Sequence, residues 1–177
     1  YDYYYSGSPS AGPVAPLSGM NYSVLKSVDT YYSMTKNSTK ILLGVPWYGY
    51  DWPVQDTAYM AKATGTATAR TYTAAKVLAQ TYGSKFDTKY SVPYVKYESE
   101  GSNRQMWYDD SLSLALKYQL INSKNLGGIG IWALSYNGDN DELYEGIYQT
   151  WPGEPSSSVS ESSLAAIVSP NPVTDKV

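Results

Sequence analysis

Apolar residues fall into two short unbroken runs and several spaced stripes along the chain. The runs are Ile41-Leu42-Leu43-Gly44-Val45-Pro46 and Gly128-Ile129-Gly130-Ile131-Trp132-Ala133-Leu134. The first is bounded by polar residues, and both read as strands buried on both faces, as in a parallel sheet. Pro46 marks where regular pairing should end. Val24, Leu25, Val28, Tyr31 and Tyr32 form a stripe that predicts a helix capped by Ser18 or Asn21. A second helix is expected over residues 73–82. A third is expected after Asp109-Asp110-Ser111, with Leu112, Ala115, Leu116 and Leu120 on one face and a stop at Lys124-Asn125-Leu126-Gly127. The last spans 141–150, with Leu143 and Ile147 inward. Alternation over 92–97 and 104–108, around Glu100-Gly101-Ser102-Asn103, predicts a β-hairpin. The opening run Tyr1-Asp2-Tyr3-Tyr4-Tyr5 is β-prone and reads as part of a strand, followed by the loop SGSPSAGPVAPLSG.

The resulting order is strand, helix, strand, insertion (about 53–108), helix, strand, helix. Strands separated by helices imply right-handed βαβ crossovers and an α/β fold with a parallel sheet. Three strands alone leave open edges, so a larger barrel or open sheet is expected. The inner faces of Val45, Ile129 and Ile131 would then be bare in this piece by itself, which predicts poor stability. Residues 152–163, PGEPSSSVSESS, have the composition of a linker. Residues 164–177 resume with an apolar, strand-like run that reads as the beginning of a further domain.

Composition then narrows the chemistry. With 0 His and 0 Cys, thiol nucleophiles, Ser-His-Asp triads and Cys/His zinc sites are excluded. Side-chain acid–base work is left to Asp, Glu, Tyr or Lys. The chain has 20 Tyr and 5 Trp against 1 Phe, flat apolar faces carrying a polar handle. A net charge of −3 weighs against nucleic acid as a partner, and no apolar run reaches the ~18 residues of a membrane span.

The aromatics cluster at three places: Tyr1-Asp2, residues 47–52 (Trp-Tyr-Gly-Tyr-Asp-Trp), and Trp132 with Tyr136-Asn137. Each follows or ends a predicted parallel strand, the edge where such sheets bind ligands. Stacking rings beside Asp, Asn and Tyr hydroxyls suit a sugar; packing in a core is the competing use. The acidic residues elsewhere read structurally. Asp139, Asp141 and Glu142 sit at a helix start, Asp109 and Asp110 at another, and Glu98 and Glu100 flank a turn.

Tyr1-Asp2 through AGPVAPL, the block KILLGVPWYGYDW at 40–52, Tyr108-Asp109-Asp110 with Ser111, Leu112 and Lys117, and GGIGIWALSYNGD at 127–139 together resemble glycoside hydrolase family 18, the chitinases and their relatives. The resemblance covers residues 1 to about 151. AGPVAPL and YGYDW lean towards its bacterial cell-wall and spore-germination branch. It implies the C-terminal portion of a (β/α)8 TIM barrel, strands six to eight, with a small α+β insertion between strand seven and its helix. It implies that Tyr1 hydrogen-bonds a substrate N-acetyl carbonyl, that Asp2 binds the same sugar, that Trp132 floors it, and that Tyr48 lines the cleft. Trp47, Tyr50, Trp52 and Tyr136 are further groove candidates. Where chitinases often carry Arg, two positions after the strand-seven Tyr, this chain has Tyr50.

The family's retaining mechanism uses the substrate's own N-acetyl oxygen, so no cofactor, metal or protein nucleophile is implied. Its general acid, the Glu of D-x-x-D-x-D-x-E, does not occur in these 177 residues. The expectation is a secreted hydrolase of β-1,4-linked N-acetylglucosamine polymers, chitin-like, with that motif outside this chain. A catalytically inactive chitin-binding lectin and a peptidoglycan hydrolase are the alternatives. The tail SPNPVTDKV is similar to the start of a type IX secretion sorting domain, implying a Gram-negative bacterium, its secretion machinery as a partner, and a secreted or cell-surface location.

Overall fold

A computed structural model describes residues 1–152. The linker and the sorting-domain resemblance lie outside the described residues, apart from Pro152. No described helix is long and apolar enough to cross a membrane.

The first helix, α1 (Val24–Thr35), starts later than either Ser18 or Asn21 would set it. Ser23 is its cap, accepting from the Lys26 amide. Of its apolar stripe only Val24 and Val28 are buried, while Tyr31 and Tyr32 are exposed. A short 3-10 turn (Ser38–Lys40) leads into β1 (Leu42–Pro46). This strand pairs in parallel with β7 (Gly128–Trp132), in register from Leu42 opposite Gly128 to Pro46 opposite Trp132.

Neither strand is buried on both faces, because alternation divides them. Leu43 and Val45 pack into the helix-covered core with Ile129 and Ile131 against them. Leu42, Gly44 and Trp132 face the other way, and Leu42 and Trp132 are more than half exposed. The expectation of a bare Val45 is therefore reversed, since it is 0% exposed, while Ile129 and Ile131 are half-buried.

A second sheet begins at once, with only Trp47 between. It is antiparallel, five-stranded, and ordered β3-β2-β6-β5-β4. Its strands are β2 (Tyr48–Pro53), β3 (Thr68–Thr71), β4 (Ser84–Asp87), β5 (Val92–Ser99) and β6 (Ser102–Tyr108). Residues 48–52 are thus sheet rather than a loop at a strand end. The hairpin is tighter than expected: Ser99 already pairs with Ser102, leaving Glu100 and Gly101, both at positive φ, as a two-residue turn. Between β3 and β4 lies α2 (Tyr72–Tyr82).

The sheet divides its side chains between two cores by period two. Met106, Tyr108 and Val95 join the core shared with α1, α2, α3 (Ser111–Lys124) and α4 (Glu142–Thr150). Trp107, Val92 and Trp52 join a second core closed by residues of the amino-terminal loop, Ala11 among them. Gly49 lets β6 come close: a Cβ there would lie 2.6 Å from that of Tyr108.

Helix α3 buries a different face from the one its leucines suggest. Ser113, Leu114, Lys117, Tyr118 and Ile121 point inward, and Leu112 is more than half exposed. Lys117 turns the helix, because its ammonium pairs with Asp109 where both side chains are wholly buried. Asp110, not Asp109, is the cap, in a reciprocal capping box with Ser113. Asn125 closes the helix in the left-handed region.

Candidate active site

A cleft of about 450 Å³ opens where the parallel pair ends and the antiparallel sheet begins. Three segments build it. The first is the amino-terminal one, which forms no strand. Asp2 takes φ 62°, a conformation a short polar side chain tolerates, and so breaks the extended run that residues 1–5 suggested. Tyr1 fits because β1 carries no side chain at Gly44, where a Cβ would sit 3.0 Å from the Tyr1 ring.

The second segment is β2. Tyr48 and Tyr50, two apart, project from one face and meet edge-to-face at 5.6 Å, and Tyr1 meets Tyr48 likewise at 6.0 Å. Tyr48 is buried; its hydroxyl donates to Asp2 Oδ1 at 2.5 Å. Burial, and then that bond and the Asp2 charge, push the Tyr48 hydroxyl far above the ordinary phenol range. Tyr48 is therefore a neutral donor. Tyr50 is shifted the same way, by burial first and then by Asp2.

The third segment is the end of β7 and the loop after it. Trp132 presents its ring to solvent, 57% exposed, and the Trp132-Ala133 peptide is cis. Tyr136 is half-buried on the same rim. Its loop is tied to α2: the Thr73 amide donates to the Tyr136 carbonyl at 3.2 Å, and Lys76 donates to Asn140 Oδ1 at 2.8 Å. Lys76 and the Tyr72 hydroxyl also converge on Glu142 Oε1, at 2.5 and 2.7 Å. Burial pushes the Glu142 carboxyl up, but these hydrogen bonds outweigh it and hold it below its usual range. Glu142 is a tie between α2 and α4 and does not line the cleft. Glu98 and Glu100 are exposed, as the turn reading expected.

Six of the eight residues singled out from the sequence meet in this cleft: Tyr1, Asp2, Tyr48, Tyr50, Trp132 and Tyr136. The other two do not. Trp47 is 0% exposed and packs edge-to-face on Tyr144 in the first core, and Trp52, also 0% exposed, fills the second. Placing Trp47 and Trp52 in the groove is corrected on that ground: β2 pairs from Tyr48 onward, and the flanking indoles are its anchors.

Sequence reasoning missed Arg70, which reaches the cleft from the edge strand β3. Its Nε and Nη2 donate to Asp51 Oδ2 at 3.2 and 3.0 Å. Asp51 is wholly buried and also accepts from Arg104 Nε at 3.0 Å and from the Tyr97 hydroxyl at 2.7 Å. One carboxylate thus fixes three strands beside β2. The available signal was the β-branched run around Arg70, which alternates too weakly to announce a strand.

The lining offers phenol hydroxyls, one guanidinium, one exposed indole face and a single carboxylate, Asp2. That set offers hydrogen-bonding groups beside an aromatic face; among the described residues it holds no second carboxyl to form a glycosidase pair. Among the described residues no three His, Cys, Asp or Glu side chains gather as metal ligands.

Parallel strands opening on an aromatic cleft, with a small antiparallel lobe beside it, define an α/β architecture. The model of the Glycosyl hydrolases family 18 matches residues 1–137, and the chain belongs to that family. It is 29% identical over 134 residues to the di-N-acetylchitobiase of Homo sapiens, covering 65% of this chain and 35% of that protein. It is 28% identical over 138 residues to the cortical fragment-lytic enzyme of Bacillus subtilis, covering 76% of this chain and 30% of that protein. The chain spans about a third of the length of the curated relatives it matches. Among solved structures, a family 18 chitinase of Cycas revoluta in complex with (GlcNAc)4 superposes with TM-score 0.75 at 25% identity, covering 85% of this chain and 45% of that one.

Proposed function

We propose that this chain supplies the sugar-holding part of a secreted family 18 glycosidase acting on β-1,4-linked N-acetylglucosamine polymers. In this reading it is the C-terminal portion of a (β/α)8 barrel, with β1 and β7 as strands seven and eight and residues 53–108 as the insertion. The observation that carries the proposal is the pairing of Tyr48 with Asp2 at one side of a cleft that has the exposed Trp132 ring at another.

The roles are those that the family resemblance implies, and the lining is compatible with them. Trp132 stacks under the apolar face of a pyranose. Tyr1 donates to the N-acetyl carbonyl and holds its oxygen for attack on the anomeric carbon, while Asp2 takes a polar group of the same sugar. Retention of configuration then needs no protein nucleophile. The general acid is the Glu of a D-x-x-D-x-D-x-E motif outside the 177 residues. Reading the coding sequence for that motif within roughly 150 residues before Tyr1, a barrel's remaining length, tests the hydrolase directly. Its absence there refutes hydrolysis by this mechanism and leaves glycan binding.

The likeness to a cortical fragment-lytic enzyme favours cell-wall glycan as a second substrate reading. Parallel assays on chitin and peptidoglycan by the protein carrying the motif decide between them. The same proposal has the tail from Leu164 address the protein to type IX secretion. Retention in the cell after deletion from Leu164 onward supports that, and unaltered export refutes it.

A further inference from the structure

A second cleft, of about 840 Å³, lies beside the residues that follow Asp2. Tyr3, Tyr4 and Tyr5 form one wall, Met20 and Tyr22 contribute from the end of the same loop, and Tyr90 comes from the turn between β4 and β5. Among the described residues no Asp, Glu, Lys or Arg lines it, so it offers no charged side chain, while the rings offer flat apolar faces edged with hydroxyls. Lys89 already lies over the Tyr90 ring at 4.8 Å. The free platforms are Tyr5 and Tyr22, 55% and 80% exposed.

These walls are set before any ligand arrives. The Ala67 amide donates to the Ser6 carbonyl at 2.8 Å, Ala63 to Pro9 at 2.9 Å, and Leu17 to Tyr90 at 2.9 Å, stitching the loop to the antiparallel lobe. The Tyr4 ring fits only because residue 12 is glycine, where a Cβ would lie 2.5 Å from it. Tyr4 also packs in the same core as Tyr50 of the first cleft. Tyr1 and Asp2 line one cleft and Tyr3 begins the next, so one stretch of backbone contributes to both.

We infer that this second cleft is a further glycan site, taking a neutral stretch of the same N-acetylhexosamine polymer and gripping it at a second place. The inference rests on the proposed function of the first cleft. Tyr22 and Tyr90 lie outside every motif that carries the family resemblance.

Isothermal titration of the full chain with chitobiose and with chitohexaose tests it, comparing wild type with the double variant Tyr5→Ala/Tyr22→Ala. Both side chains are exposed, and an unchanged near-UV circular dichroism spectrum confirms the fold. Two lost ring platforms predict an affinity for the hexaose reduced about tenfold, with the affinity for the biose unchanged. Equal hexaose affinity in variant and wild type overturns the second cleft alone. So does an equal fall for both sugars, which marks a general effect on the fold. Failure of wild type to bind either sugar overturns the reading of the first cleft itself.

Discussion

The Tyr48 hydroxyl and the Asp2 carboxylate, 46 residues apart in sequence, lie 2.5 Å apart in the structure. The bond joins the only carboxylate that lines the cleft among the described residues to a phenol that burial keeps protonated. Asp2 itself is exposed, so the bond sets its direction more than it sustains the fold. Tyr48→Phe is therefore expected to cost about 1 kcal/mol of stability or less in urea denaturation. Affinity for chitotetraose should fall about tenfold in calorimetric titration, the effect of one misdirected charged hydrogen bond. An affinity equal to wild type would show that Asp2 needs no positioning.

Asp51 predicts the opposite balance. It contacts no cleft space, yet its carboxylate holds Arg70, Arg104 and Tyr97 from a position with no solvent exposure. Asp51→Asn keeps the shape and removes the charge, leaving two guanidinium groups without their shared partner. The expected loss is about 3–5 kcal/mol, the range for breaking a buried ion pair from one side. Arg70→Gln should cost far less, about 1 kcal/mol or below, because Arg70 is more than one-third exposed and solvent screens it. Urea midpoints for both variants check the order; equal losses would dismiss Asp51 as the hub.

These two aspartates show what a sequence discloses. The two parallel strands, the hairpin and the cluster of Tyr1, Asp2, Tyr48, Tyr50, Trp132 and Tyr136 were legible, because period and motif are local. Trp47 and Trp52 were misread because an aromatic run looks the same in a groove and in a core. What separates them is the pairing of β2 with β3 and β6, a long-range fact. Arg70 and the face of α3 were hidden for the same reason. A buried partner for Arg70 lies 19 residues away, and Lys117 reverses the face that the leucines advertise.

Alkaline pH should unfold the protein in a narrow window. Burial is the leading cause that pushes the hydroxyls of Tyr97, Tyr108 and Tyr118 up to about 12, with Asp51 adding to the shift of Tyr97. Their unfolded counterparts ionise near 10. Each group therefore binds its proton more tightly in the native state. Its contribution is complete below pH ~10 and is lost as pH rises from there through about 12. An absorbance titration of phenolate should show the exposed tyrosines first and a later step coincident with loss of circular dichroism. A single smooth titration with the fold intact would contradict it.

The buried pair behind the cleft gives a test with an acid-side signature. Asp109 and Lys117 are both fully buried, and Asp109 Oδ2 has no hydrogen-bond partner. Burial holds the Asp109 carboxyl above its ordinary range even though Lys117 and Ser113 pull it down. Lys117→Met removes the main counterweight, so the variant must bury an unpaired carboxylate or protonate it. At neutral pH the expected loss is about 3–5 kcal/mol. A raised folded-state value makes the native form bind the proton more tightly than the unfolded chain does. The variant's deficit should therefore shrink as pH falls towards the carboxylate range, while wild type gains less. Asp109→Asn/Lys117→Met, lacking both charges, should recover much of the loss at neutral pH, and its own stability should not carry the Asp109 titration there. Urea denaturation at neutral and mildly acidic pH measures all three proteins. A Lys117→Met deficit independent of pH would mean that lost packing of the lysine stem, not the stranded charge, is what the fold feels.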